Sequence, residues 1–159
     1  MRIRENLGLV LLAIWLIIRG LVALISLSFT GLSVLLAILA IVAGLLLLLS
    51  LRNNRFSEPR TLGLLLLAIW LALTGLLTFA SLEAGWMDVV MAVLAIAAGV
   101  LLFLAIVRVD PMAELGLLLA AIWLLLTGLI SLVSLGFSGL SIVMGLLALI
   151  AGILLLVRR

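Results

Sequence analysis

The sequence predicts an all-α membrane protein, with six transmembrane helices arranged as three tandem helical-hairpin repeats in a pseudo-threefold bundle. Three observations predict it. Of 159 residues, 69% are apolar and 9% charged, with a mean hydropathy of +1.70. Soluble domains hold about 45–50% apolar and about 25% charged residues, so this chain could not cover a water-facing surface. Second, the apolar residues stand in runs close to the roughly 20 residues that span a bilayer as a helix. Third, the chain repeats itself. Leu7-Gly8-Leu9 returns at Leu62-Gly63-Leu64 and Leu115-Gly116-Leu117. Ala13-Ile14-Trp15 returns at Ala68-Ile69-Trp70 and Ala121-Ile122-Trp123. Ala43-Gly44 returns at Ala98-Gly99 and Ala151-Gly152. Leucines match by chance, but Trp and Gly held in one register do not. The repeats are read as 7–52, 62–107 and 115–159, within one transmembrane domain covering 1–159.

Each repeat has two apolar stretches separated by a small, polar break. The expected spans are 7–26, 34–51, 62–80, 89–107, 115–133 and 142–157. Lipid tolerates only helices or closed barrels across its core. A barrel would need alternating polarity, which these runs lack. The first span follows Arg2 and Arg4, as a signal peptide would, but no cleavage pattern follows it. It is also copied twice downstream, so it is expected to belong to the mature fold. Pro59 and Pro111 fall in the connections between repeats, where no helical hydrogen bond would be lost.

Orientation follows from arginine. All nine basic residues are Arg. Arg2 and Arg4 precede the first span. Arg52, Arg55, Arg60 and Arg108 lie between repeats, and Arg158 and Arg159 end the chain. The connections within the hairpins carry none. By the positive-inside rule both termini are expected in the cytoplasm of a bacterial inner membrane, with the hairpin turns outside. The net charge of +3 is a topology signal rather than a mark of nucleic-acid binding.

The absent residues restrict the chemistry. With no Cys, His or Lys, thiolate sites, imidazole bases and Schiff bases are excluded. No phosphate loop, metal-ligand cluster or nucleophile with a base is present. No carboxylate lies within an expected span, which argues against a proton relay. The expectation is a non-enzymatic protein without a cofactor or metal. Its partners would be the bilayer and a larger membrane complex or a second copy of itself.

Two side-chain patterns carry the remaining content. The second span of each repeat holds small residues spaced 4, 3, 4: Ser33, Ala37, Ala40, Gly44; Asp88, Ala92, Ala95, Gly99; and Ser141, Gly145, Ala148, Gly152. This spacing marks one helix face. The pairs Ala40/Gly44, Ala95/Gly99 and Ala148/Gly152 let backbones approach closely in lipid. They are expected to pack helices within the chain; an oligomer interface or a narrow pore lining is the functional alternative. Ser33, Asp88 and Ser141 stand where N-caps are expected. In the first spans, Trp15/Arg19, Trp70/Thr74 and Trp123/Thr127 are each four apart on one face. The tryptophans are expected to fill the bundle interior, each N–H bonded to an oxygen. A ligand-stacking site is the alternative. Thr74 and Thr127 are expected to bond back to the preceding turn.

Arg19 is the one charge inside a span, and it admits two readings. It snorkels to outer headgroups with Trp15 as a cation–π partner. Or it faces the bundle, paired with Glu83 or Asp88, or holding an anionic ligand or lipid.

The motifs Leu-Gly-Leu-Leu-Leu-Leu-Ala-Ile-Trp at 62–70 and Thr-Gly-Leu at 74–76 resemble the HdeD-type family over nearly the whole chain. The resemblance implies a bacterial six-helix inner-membrane protein built from a short hydrophobic repeat and linked with acid resistance. It supplies no catalytic residue. The role expected is structural, in envelope stress or as an accessory subunit of a larger membrane complex. A small oligomeric channel or carrier is the alternative.

Overall fold

The computed structural model describes residues 2–25, 30–52, 59–80, 85–109, 112, 114–133, 136 and 139–157. Six helices follow in order: α1 (Arg2–Ile25), α2 (Thr30–Leu51), α3 (Pro59–Ala80), α4 (Gly85–Val109), α5 (Leu115–Val133) and α6 (Leu140–Val157). Each contains an apolar span of 18 to 24 residues, enough to cross the hydrocarbon core. The chain is a multi-pass, all-α membrane protein.

Several helices outrun the expected spans. Hydropathy marks where the hydrocarbon ends, whereas the helix continues into the interface. α2 begins at Thr30 and α4 at Gly85, each four residues before its expected span. Pro59 opens α3 instead of lying in a linker. A first-turn proline loses no helical hydrogen bond, and its fixed φ suits the helix. Pro111 lies outside the described residues. These longer helices correct the N-cap expectation. Ser33 and Asp88 are the fourth residues of α2 and α4, and Ser141 is the second of α6. All three are inside their helices. Asp88 still suits the positive end of the α4 dipole.

The helices form a closed ring in which α1 touches α2, each helix touches the next, and α6 returns to α1. Each second helix packs more extensively against the first helix of the following hairpin than against its own partner. The hairpins therefore interlock. One end of the ring carries the turns within hairpins; the other carries the termini and the connections between repeats. Arg52 and Arg108 are exposed at the terminus end.

Glycine sets the closest approaches. A Cβ added at Gly44 would stand 2.7 Å from the Ala68 carbonyl oxygen. The same atom added at Gly99 would stand 2.9 Å from the Ala121 oxygen, and at Gly152 2.7 Å from the Ala13 oxygen. These are three equivalent contacts, α2 on α3, α4 on α5 and α6 on α1. A second set joins Gly8 to Leu47, Gly63 to Leu102 and Gly116 to Leu155 within each hairpin. The same glycine contacts thus recur in all three repeats. In lipid, where apolar surface gains little by leaving its solvent, this close packing replaces the hydrophobic drive.

The two kinds of helix face different surroundings. The first helices bury their leucines and tryptophans toward the axis: Leu9, Leu12 and Leu16 on α1, Leu64, Leu67 and Leu71 on α3, Leu117 and Leu124 on α5. The second helices turn branched and aliphatic stripes outward, such as Val34, Ile38 and Leu45 on α2 and Val89, Val93 and Val100 on α4. That is the lipid-facing surface.

Candidate functional site

The tryptophans converge. Trp15, Trp70 and Trp123 are 1%, 6% and 5% exposed. Their ring centroids are 6.0 Å (Trp15–Trp70), 5.7 Å (Trp15–Trp123) and 6.0 Å (Trp70–Trp123) apart. The interplanar angles are 86°, 82° and 82°, so every pair meets edge to face. This places the positive edge of one indole against the negative face of another. The neighbour of each indole is thus another indole. Three rings from three hairpins close the bundle axis. Beside them is a void of about 10 Å³, lined by Leu12, Leu16, Leu67, Ala120 and Leu124 with the indoles. Ala120 stands where the other repeats have Leu12 and Leu67. With so apolar a lining, the void offers a water no adequate set of polar partners.

The tryptophans divide the bundle into unlike halves. Toward the termini the axis is packed with leucine. Toward the turns the same helix faces carry Arg19, Thr74 and Thr127. The Thr74 hydroxyl donates to the Trp70 carbonyl at 2.7 Å, and the Thr127 hydroxyl to the Trp123 carbonyl at 2.7 Å. Thr78 donates to the Thr74 carbonyl at 2.8 Å. Both threonines therefore bond back by one turn, as expected. In the first repeat the guanidinium carbon of Arg19 lies over the Trp15 ring, 5.5 Å from its centroid. This is within cation–π range.

Among the described residues, three clefts run from the tryptophans toward the turn end. The first, about 200 Å³, lies between α1, α5 and α6 and is lined by Arg19, Ala23, Trp123, Thr127, Ser141 and Gly145, among others. The second, about 110 Å³, lies between α1, α2 and α3, with Trp15, Arg19, Ser33, Ala37, Thr74 and Thr78 on its walls. The third, about 230 Å³, lies between α3, α4 and α5, with Thr74, Thr78, Asp88, Thr127 and Ser131. Arg19 borders the first two clefts and Asp88 the third.

This separation bears on the expected ion pair. Among the described residues no salt bridge joins Arg19 to Asp88, because their helices place them on different clefts. The other expected partner, Glu83, lies outside the described residues. Arg19 and Asp88 are both exposed. The small-residue pairs are all buried: Ala40 with Gly44, Ala95 with Gly99, and Ala148 with Gly152. The first members of those faces, Ser33, Asp88 and Ser141, are exposed near the turn end.

Sequence reasoning missed the convergence of the three indoles and the role of the first-helix glycines. Gly20, Gly75 and Gly128 lie as close to a neighbouring helix as Gly44, Gly99 and Gly152 do. The signal was present, since glycine stands at that position in all three repeats. No family model, curated protein or solved structure matches this chain.

Proposed function

We propose that the chain is a non-enzymatic structural protein of the bacterial inner membrane. It serves envelope-stress tolerance or packs as an accessory subunit against a larger membrane complex. The observation that carries this reading is the closed axis. A conduit needs a continuous polar or wetted path. Here Trp15, Trp70 and Trp123 meet across the axis, and the void enclosed among them is apolar and about 10 Å³. Leucine fills the half beyond them. The resemblance to HdeD-type proteins supports the same role. The arginine distribution supports cytoplasmic termini.

A second reading, a small carrier or oligomeric channel, draws support from the three clefts at the turn end. Transport along the bundle axis would require the indoles to part. Reconstitution into proteoliposomes separates the two. The structural reading expects no solute flux above that of protein-free vesicles, whereas saturable, selective flux overturns it. Gentle purification from the native membrane should bring a stoichiometric partner with the protein if it is an accessory subunit.

A further inference from the structure

We propose that the cleft between α1, α5 and α6 binds a phosphate group, with Arg19 as its cationic anchor. Arg19 is the single departure from the repeat at a position that the other two copies fill with threonine. An arginine in a span carries an insertion cost that threonine does not. Nothing in the packing requires it, because Thr74 and Thr127 occupy equivalent places without it. The guanidinium does not bridge to Asp88. It is steered by Trp15, whose ring face lies 5.5 Å away, leaving it exposed on the cleft wall.

The rest of the cleft suits an anion. The first turn of α6 borders it through Ser141. The leading N–H groups of a helix lack helical partners, and its dipole end is positive. Those groups and a planar guanidinium together present the donors that phosphate oxygens take up. Among the described residues no carboxylate lines this cleft, and Asp88 lies on the wall of another. Arg19 lies six residues, roughly 9 Å of helix, from the end of α1 at Ile25. Its long side chain spans much of that distance toward the headgroup layer. A lipid phosphate and a free phosphate ion share the required chemistry.

The test uses the full chain in neutral detergent with Trp86→Phe, which removes the exposed indole and leaves the three central ones as reporters. It is titrated separately with short-chain phosphatidylglycerol, with the matching diacylglycerol, and with inorganic phosphate. The expected result is a saturable change in tryptophan fluorescence with phosphatidylglycerol and none with diacylglycerol. In Arg19→Thr the midpoint should weaken by about tenfold or more, the loss expected for a charge-assisted hydrogen bond. A saturable, Arg19-dependent response to inorganic phosphate at comparable concentration identifies a free ion as the ligand; its absence identifies the lipid. Native mass spectrometry should show phosphatidylglycerol retained by the wild type and lost from Arg19→Thr, which carries the residue the other repeats use and is expected to fold. Equal midpoints in wild type and Arg19→Thr, an equal response to diacylglycerol, or no response to either phosphate compound overturns the proposal.

Discussion

Trp15 meets Trp123 edge to face at a centroid distance of 5.7 Å, although one stands in the first hairpin and the other in the last. The contact closes the ring from the inside. Around it, Gly152 of α6 lies against the Ala13 carbonyl of α1, closing the ring from the outside. Together they make the first and last repeats as firmly joined as those adjacent in sequence. Stability in this fold should therefore be distributed around a circuit, not held within separate hairpins.

The indole cluster should be energetically coupled. Trp70→Ala is expected to destabilise the bundle by about 3–5 kcal/mol, the usual cost of removing a buried tryptophan. Each edge-to-face pair should add a coupling of about 0.5–1.5 kcal/mol beyond burial. A double-mutant cycle on Trp15 and Trp123, read by reversible unfolding in detergent, measures it. Trp86→Phe is the control, since Trp86 is 66% exposed and should change little. Additive losses at Trp15 and Trp123 would show that the rings merely fill space.

The threonines above the indoles should contribute little on their own. Their hydroxyls donate to carbonyls of their own helices. Thr74→Val and Thr127→Val are each expected to cost under about 1 kcal/mol, because the carbonyl keeps its helical partner. The same unfolding measurement checks this. A loss of several kcal/mol would mean that the hydroxyls also bridge helices.

The sequence made the six spans and the small-residue faces readable because lipid imposes two simple demands: enough apolar length, and small residues where helices touch. Gly44, Gly99 and Gly152 could be named from spacing alone. The helix starts at Thr30 and Gly85 could not, since hydropathy falls at the membrane boundary while backbone hydrogen bonding continues. The meeting of Trp15, Trp70 and Trp123 was equally hidden. Their shared position placed them on equivalent helix faces, but which face turns to the axis depends on helix rotation within the ring. Arg19 was recognisable as an anomaly from the repeat. That Asp88 borders a different cleft depended on the order of helices around the ring.

Topology is the next expectation. With an even number of spans both termini are expected on one side, and the arginine distribution predicts that side to be cytoplasmic. A reporter fused after Arg159 should be active only in its cytoplasmic form, and one inserted at Gly136 only in its periplasmic form. The reverse pattern would overturn the assignment.

Arg19 and Asp88 should behave independently. They line separate clefts and no salt bridge joins them. The effects of Arg19→Thr and Asp88→Ser on unfolding should add to within about 0.5 kcal/mol, as for sites without shared partners. Both substitutions install residues found at the equivalent positions of other repeats, so folding should be retained. A coupling well above that margin would restore the ion-pair reading.

The sharpest contrast lies between two glycines on the same face of α6. A Cβ on Gly152 would stand 2.7 Å from the Ala13 carbonyl oxygen and 2.6 Å from the Ile17 side chain. The backbone contact cannot be relieved without moving a helix. A Cβ on Gly145 would stand 3.1 Å from the Ala23 Cβ and from the Gly20 oxygen, a clearance that a shift of a few tenths of an ångström relieves. The repeats agree, with Gly44 and Gly99 equivalent to Gly152, but Ala37 and Ala92 equivalent to Gly145. Gly152→Ala is expected to destabilise by about 1–3 kcal/mol through overpacking. Gly145→Ala should be neutral, or stabilising by up to about 1 kcal/mol, because alanine removes glycine's helix penalty. Leu146→Ile, at a position 45% exposed, supplies the lipid-facing reference. Equal effects at Gly145 and Gly152 would mean that α6 is free to shift against α1, and the interlocked ring would lose its physical basis.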